Sequence, residues 1–192
     1  MTSSASSRTD LKPLKLVIAG GFSAGKTTLV GSTSEITPLT TEAPMTNMSL
    51  GVDDRGEVAT KTATTVALDF GRITLSESML FLFGTPGQDR FWFMWDELSK
   101  GAVGAIVMVD TRRLPDSFAA VDFFEQRQLP YVVVLNRFDG HLAHSVDAVR
   151  GALSIAPGIP ILDADIRVRT EGIRVLVELV RHAIQQRRAP AR

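Results

Sequence analysis

The chain has 192 residues, 44% of them hydrophobic, which is enough to bury one sizeable core and too short to suggest two ordinary domains. Its 21 basic and 21 acidic residues cancel, so bulk charge points to no nucleic-acid partner. The absence of cysteine excludes disulfides, thiolate metal sites, cysteine nucleophiles and prenyl or palmitoyl anchors, and fits a reducing cytoplasm.

Residues 1–12 are rich in Ser and Thr with little to bury, and read as a disordered tail without the apolar core of a secretory signal. Thr2 is not the glycine that N-myristoylation requires. No apolar run approaches the roughly 18 residues needed to cross a bilayer, so membrane association is at most peripheral. Arg181, Arg187, Arg188 and Arg192 form a weak basic patch that reads as a solvated helix end. The expected domain spans 13–188, with 189–192 as a C-terminal tail.

Leu14 to Ala19 is a short β-rich apolar run, followed by a Gly-rich turn and a helix starting at Lys26. Residues 35–60 lose periodicity and read as one long loop. Thr64 to Phe70 and Ile73 to Phe83, separated by Gly71-Arg72, predict an antiparallel hairpin that ends at GTPGQDRF. Phe91 to Trp95 then puts apolar groups on every side of a helix, one face for the core and the rest for a partner. Apolar strands at Ala105–Val109, Tyr131–Leu135 and Ile159–Leu162 alternate with helical stretches at 116–127, 145–154 and 171–187. This pattern predicts an α/β fold with a mostly parallel sheet covered by helices on both faces. Ligands in such folds sit at the C-terminal strand ends.

The stretch Gly20-Gly21-Phe22-Ser23-Ala24-Gly25-Lys26-Thr27 matches G-x-x-x-x-G-K-[ST] between a strand and a helix, the context the motif needs. Backbone N–H groups from Gly20, Phe22, Ser23, Ala24 and Gly25 through Thr28 are expected to face phosphates. Lys26 is expected to reach the β and γ oxygens, and the Thr27 hydroxyl to ligate Mg²⁺. After the strand Tyr131 to Leu135 comes Asn136-Arg137-Phe138-Asp139, which resembles the N-K-x-D signature of guanine-binding proteins with Arg for Lys. The Asp139 carboxylate would accept from guanine N1–H and the 2-amino group, a pair that adenine lacks. Asn136 would tie this loop to the phosphate loop, and the stem of Arg137 would cover the base. His141, His144 and His182 have neither metal-ligand spacing nor a companion nucleophile.

The order of these motifs resembles the Ras-like small GTPases from Leu14 to about Arg187, which implies an α/β P-loop NTPase fold, a three-layer sandwich around a mostly parallel six-stranded sheet with one antiparallel edge strand. The stretches GGFSAGKTTLV, TEAPMTNMSLGVDD, TTVALDFGRITL, FLFGTPGQDRFWFMW and VLNRFDG are most similar to the small GTPases of actinobacterial conservons, and more distantly to the bacterial polarity GTPase MglA. The resemblance implies GTP and GDP with Mg²⁺ as ligands, and a roadblock-type protein and a sensor-kinase-like complex as partners. It places Thr65, with Thr64 its nearest rival, over the γ-phosphate and Mg²⁺ as the switch I threonine. It gives Gly87 the γ-phosphate sensing N–H and Gln88 the attacking water, and it sets Asp163, Ala164 and Asp165 where a loop contacts the guanine oxygen. The D-x-x-G-Q motif appears as Gly84-Thr85-Pro86-Gly87-Gln88, without its Mg²⁺-associated aspartate, which suggests weaker magnesium binding. Asp110 closes a strand that the Ras-like order sets on the far side of the P-loop strand, so it reads as structural. Phe22 occupies the place of a small glycine beside the arginine-finger approach, which implies slow hydrolysis, with any arginine coming from Arg55, Arg90 or a partner. The expected function is a slow GTPase switch. A nucleotide-stabilised interaction module without useful hydrolysis stays open beside it, and a P-loop kinase using ATP has no supporting motif.

Overall fold

The structure, a computed structural model, describes residues 11–45, 64–87 and 92–188. Strand β1 (Lys12–Gly20) carries Leu16, Val17, Ile18 and Ala19 in succession, all fully buried. A strand apolar on both sides of its pleat must be covered on both faces. Leu16 and Ile18 pack with Leu29 and Val30 of helix α1 (Lys26–Thr33) and Leu176 and Leu179 of helix α5 (Arg169–Arg188). Val17 and Ala19 pack on the other side with Trp95 of α2 (Trp92–Ser99), Phe124 of α3 (Phe118–Gln126) and Val149 of α4 (Val146–Ala152). Period-two alternation along one strand therefore defines two cores and three layers.

The sheet has the order β2-β3-β4-β1-β5-β6-β7. Strands β4 (Ser78–Gly84), β1, β5 (Ala102–Val109), β6 (Tyr131–Asn136) and β7 (Ile161–Ala164) run parallel, and β3 (Thr64–Leu75) is antiparallel to β4. The expected class is found, with one strand more than the six read from the sequence. Leu39–Met45, expected within a loop, forms β2 and pairs antiparallel with Thr64–Phe70 at the sheet edge. From β1 the order runs outward to β4 on one side and β5 on the other, so the loop after β1 lies where strand order reverses, the usual ligand position in open α/β sheets.

The hairpin turn lies at Ser76-Glu77 rather than Gly71-Arg72, and β3 runs through both of those residues. Gly71 serves a different need. A Cβ there would come within 2.8 Å of Val30 Cγ1, so the missing side chain lets α1 approach the strand. Among the described residues no helix is long and apolar enough to cross a membrane.

Candidate nucleotide site

The turn after β1 can form only with glycine at two points: Gly20 and Gly25 have φ of 138° and 106°. A Cβ on Gly25 would also fall 2.6 Å from Asn136 Nδ2, which donates to the Ala24 carbonyl at 3.2 Å. Asn136 therefore ties the phosphate loop to the loop after β6, as expected from sequence. The Lys26 ammonium is buried and donates to the carbonyls of Gly20 and Gly21 at 2.9 and 2.7 Å. Burial lowers its pKa to about 8, opposed by the Asp69 carboxylate nearby. The site thus holds a partly desolvated cation, which gains by meeting an anion such as phosphate.

Gly87 comes to the same place. A Cβ on it would stand 2.6 Å from Lys26 Nζ and 3.0 Å from Phe22 Cα, so the glycine of the GTPGQ motif lies against the lysine. Phe22 projects outward, 61% exposed. The Pro86 carbonyl accepts from the Trp95 indole at 3.4 Å, and Trp95 is buried against Phe123 and Phe124. Of the apolar run expected to be partly exposed, Trp95 belongs to the core. Phe91, Gln88, Arg90 and Arg55 lie outside the described residues.

The residue that sequence reasoning missed is Asp69. The Thr27 hydroxyl donates to Asp69 Oδ2 at 2.5 Å. Asp69 pairs with Gly84 across the β3–β4 ladder, and a Cβ on Gly84 would lie 3.1 Å from Asp69 Cβ and 3.2 Å from Oδ2. The carboxylate missing from the D-x-x-G position is thus replaced by one from the neighbouring strand, in the space that a Gly84 side chain would need. A lone acid in the apolar run Val66-Ala67-Leu68-Asp69-Phe70 was the available signal. Thr65, assigned to Mg²⁺ from the resemblance, lies in β3. Its backbone lies opposite Pro44 in β3, four residues or about 13 Å along the strand from Asp69, and its side chain is outside what is described.

A hydroxyl beside a carboxylate is a hard oxygen donor set, which suits Mg²⁺ when phosphate oxygens and water complete the octahedron. Among the described residues no group of three or more His, Cys, Asp or Glu side chains could hold a metal by itself. The residues present fit a magnesium ion delivered with a nucleotide.

On the base side, Phe138-Asp139-Gly140-His141 makes a tight turn, with the His141 N–H donating to the Phe138 carbonyl at 3.1 Å. Asp139 and Gly140 have φ of 53° and 82°, the two positive values that a D-G turn of type I′ needs. The Asp139 side chain is exposed, open to a ligand. The guanidinium of Arg137 turns away to Glu171, with Asp163 Oδ2 3.8 Å off. Glu171 also accepts from the Asp165 N–H at 2.9 Å, so it braces two of the loops and is a second residue that the sequence did not reveal. Ala164 is buried in β7 opposite Asn136, and the Asp165 carboxylate is taken by Arg167. Asp110 is buried at the end of β5, across β1 from β4, and its carboxylate is held by Arg112. That agrees with the structural reading.

Fold and site together define a P-loop nucleotide-binding α/β protein. Residues 18–186 match the family described as conserved hypothetical ATP binding proteins, and the chain belongs to that family. An uncharacterized protein of Methanocaldococcus jannaschii is 31% identical over 128 residues, 66% of this chain and 71% of that protein. Among solved structures, the small GTPase Arl6 of Trypanosoma brucei with a bound nucleotide analogue is similar at a TM-score of 0.64 and 15% identity, covering 91% of this chain and 99% of that one. The G-domain of FeoB from Methanococcus jannaschii is similar at a TM-score of 0.59 and 13% identity, with the same coverages. These two likenesses concern the fold.

Proposed function

We propose that the protein is a small GTPase that binds GTP and GDP with Mg²⁺, hydrolyses GTP slowly, and signals through partner surfaces that change with nucleotide. The observation that supports this reading best is the Asn136 bond to the Ala24 carbonyl, which ties the phosphate loop to the strand end that leads into Asp139. That link suits a nucleotide held at both ends, and a carboxylate acceptor favours guanine over the adenine named in the family's description. Lys26 and the loop amides would take the phosphates, and Thr27 and Asp69 would hold Mg²⁺, which neutralises charge on the phosphates when bound.

Asp69 also removes one of the two reasons for favouring an interaction module without hydrolysis, since the site does not lack a carboxylate. Phe22 remains the other. Gln88 is the proposed water-orienting residue. A roadblock-type partner is a proposal that rests on the family resemblance alone, and a cytoplasmic location is one that rests on the absence of cysteine.

One experiment separates the two readings. The bond from Trp95 to the Pro86 carbonyl ties an indole to the GTPGQ loop, and Trp92→Phe leaves Trp95 as the sole tryptophan. Its emission is expected to differ between GDP and a non-hydrolysable GTP analogue, and in GTP to relax to the GDP level in step with phosphate release. Identical emission with no phosphate released would favour the interaction module.

A further inference from the structure

The three parallel strands beyond the phosphate loop end in related ways. β6 lies between β5 and β7 and leads into the loop 136–139. Its two neighbours each run into the same local motif, Asp110-Thr111-Arg112 after β5 and Asp165-Ile166-Arg167 after β7. In each, three bonds recur. The arginine N–H donates to the aspartate Oδ1, at 3.0 Å for Arg112 and 3.1 Å for Arg167. Nε donates to the same oxygen at 2.9 Å, and the terminal nitrogen donates to Oδ2 at 2.7 Å. A guanidinium held through its planar fork and its own backbone has little rotational freedom left.

Both locked arginines flank the loop that carries Asp139. Arg112 stacks its guanidinium over Phe138 at 3.9 Å, immediately before Asp139. The Thr111 hydroxyl, in the same motif, accepts from Ala143 N–H at 2.9 Å and so pins the far end of the turn. On the β7 side, the Ala164 carbonyl accepts from Arg137 N–H at 2.8 Å. Both arginines are otherwise solvent-facing. Among the described residues neither arginine bonds to the phosphate loop, although Ile166, between Asp165 and Arg167, lies against Gly25.

We infer that Arg112, locked by Asp110 and stacked on Phe138, is a clamp that positions Asp139 to accept two hydrogen bonds from a guanine ring, making it a specificity-determining positioning residue. The inference rests on the guanine reading proposed above. A carboxylate reads N1–H and the 2-amino group together only when both oxygens lie in the ring plane. One that swings freely forms the two bonds part of the time, and clamping removes that ordering cost before the base arrives.

The test compares GDP with IDP, whose hypoxanthine keeps N1–H and lacks the 2-amino group. In Arg112→Ala the GDP-over-IDP preference is expected to fall about tenfold, with IDP affinity held within about threefold. Arg112→Lys keeps the charge but neither the fork nor the planar stack, and is expected to behave like the alanine variant. Equal weakening of GDP and IDP, an unchanged preference, or full recovery by lysine would overturn the clamp. Wild-type protein that binds GDP, IDP and ADP alike would remove the guanine pocket and the clamp with it. A wild type that prefers GDP, with arginine variants that keep that preference, would overturn the clamp alone.

Discussion

Asp69→Ala is expected to weaken Mg²⁺-supported binding of GTP by about 2 to 3 kcal/mol, roughly a hundredfold, while binding measured in EDTA changes little. The reason lies in the pairing of β3 with β4. Asp69 Oδ2 accepts from the Thr27 hydroxyl at 2.5 Å, and Gly84 opposite it has no side chain to compete for that space. In the proposed reading the carboxylate and the hydroxyl are the oxygen donors that the protein would offer to the metal. Gly84→Asp in the wild-type background would force two carboxylates together, and a loss of about 1 to 3 kcal/mol in folding stability is expected from crowding and like charge. Exchanging the two residues, Asp69→Gly with Gly84→Asp, should recover most of the Mg²⁺ dependence, because only one carboxylate then occupies that space. Isothermal titration with and without Mg²⁺ reads all three variants. An Asp69→Ala protein with undiminished Mg²⁺ dependence would remove the ligand role, and an exchange variant worse than Asp69→Ala would show that the two strands are not equivalent hosts.

The second large effect is expected at Asp139. Each hydrogen bond to a charged acceptor contributes about 1.5 to 3 kcal/mol, so losing one predicts a drop in GDP affinity of at least about tenfold in Asp139→Asn. The amide keeps one acceptor oxygen but turns its N–H₂ group toward one of the ring's own donors, which adds repulsion to loss. Xanthine carries a carbonyl where guanine has its 2-amino group, so XDP is expected to bind the asparagine variant more tightly than GDP does. Asp139 is exposed on a turn, and its removal should leave thermal stability nearly unchanged. Competition against a fluorescent nucleotide measures both ligands. Unaltered GDP affinity would place the base elsewhere.

Much of this was legible before the structure. Continuous apolar runs at β1, β5 and β6 admit few alternatives to buried parallel strands, and the phosphate loop is written in consecutive residues. The link from Asn136 to the phosphate loop followed from the resemblance and is present as a bond to Ala24. The errors share a cause. Gly71-Arg72 looked like a turn because glycine has two meanings, and here it marks the close approach of α1 rather than a reversal. β2 was read as loop because Leu39–Met45 contains Pro44 and has no apolar periodicity, and it pairs with a single neighbour, β3. Asp69 and Glu171 escaped because their roles are set across the sheet and between loops, at sequence separations of 42 and 34 residues from Thr27 and Arg137. A motif read along the chain reports an absent aspartate at Gly84, and only the ladder shows the one that replaces it. The paired Asp-x-Arg motifs were visible as text but acquire meaning only once β5 and β7 are known to flank β6.

The central claim is that a carboxylate-bearing base loop beside the phosphate loop selects guanine, within a family described by ATP binding. Its most direct test is the displacement of fluorescent GDP from wild-type protein by unlabelled GDP and by ADP at saturating Mg²⁺. The account predicts that ADP competes at least about a hundredfold more weakly, since adenine leaves the Asp139 carboxylate unpaired. Equal competition by ADP, or tighter binding of ADP, would contradict it.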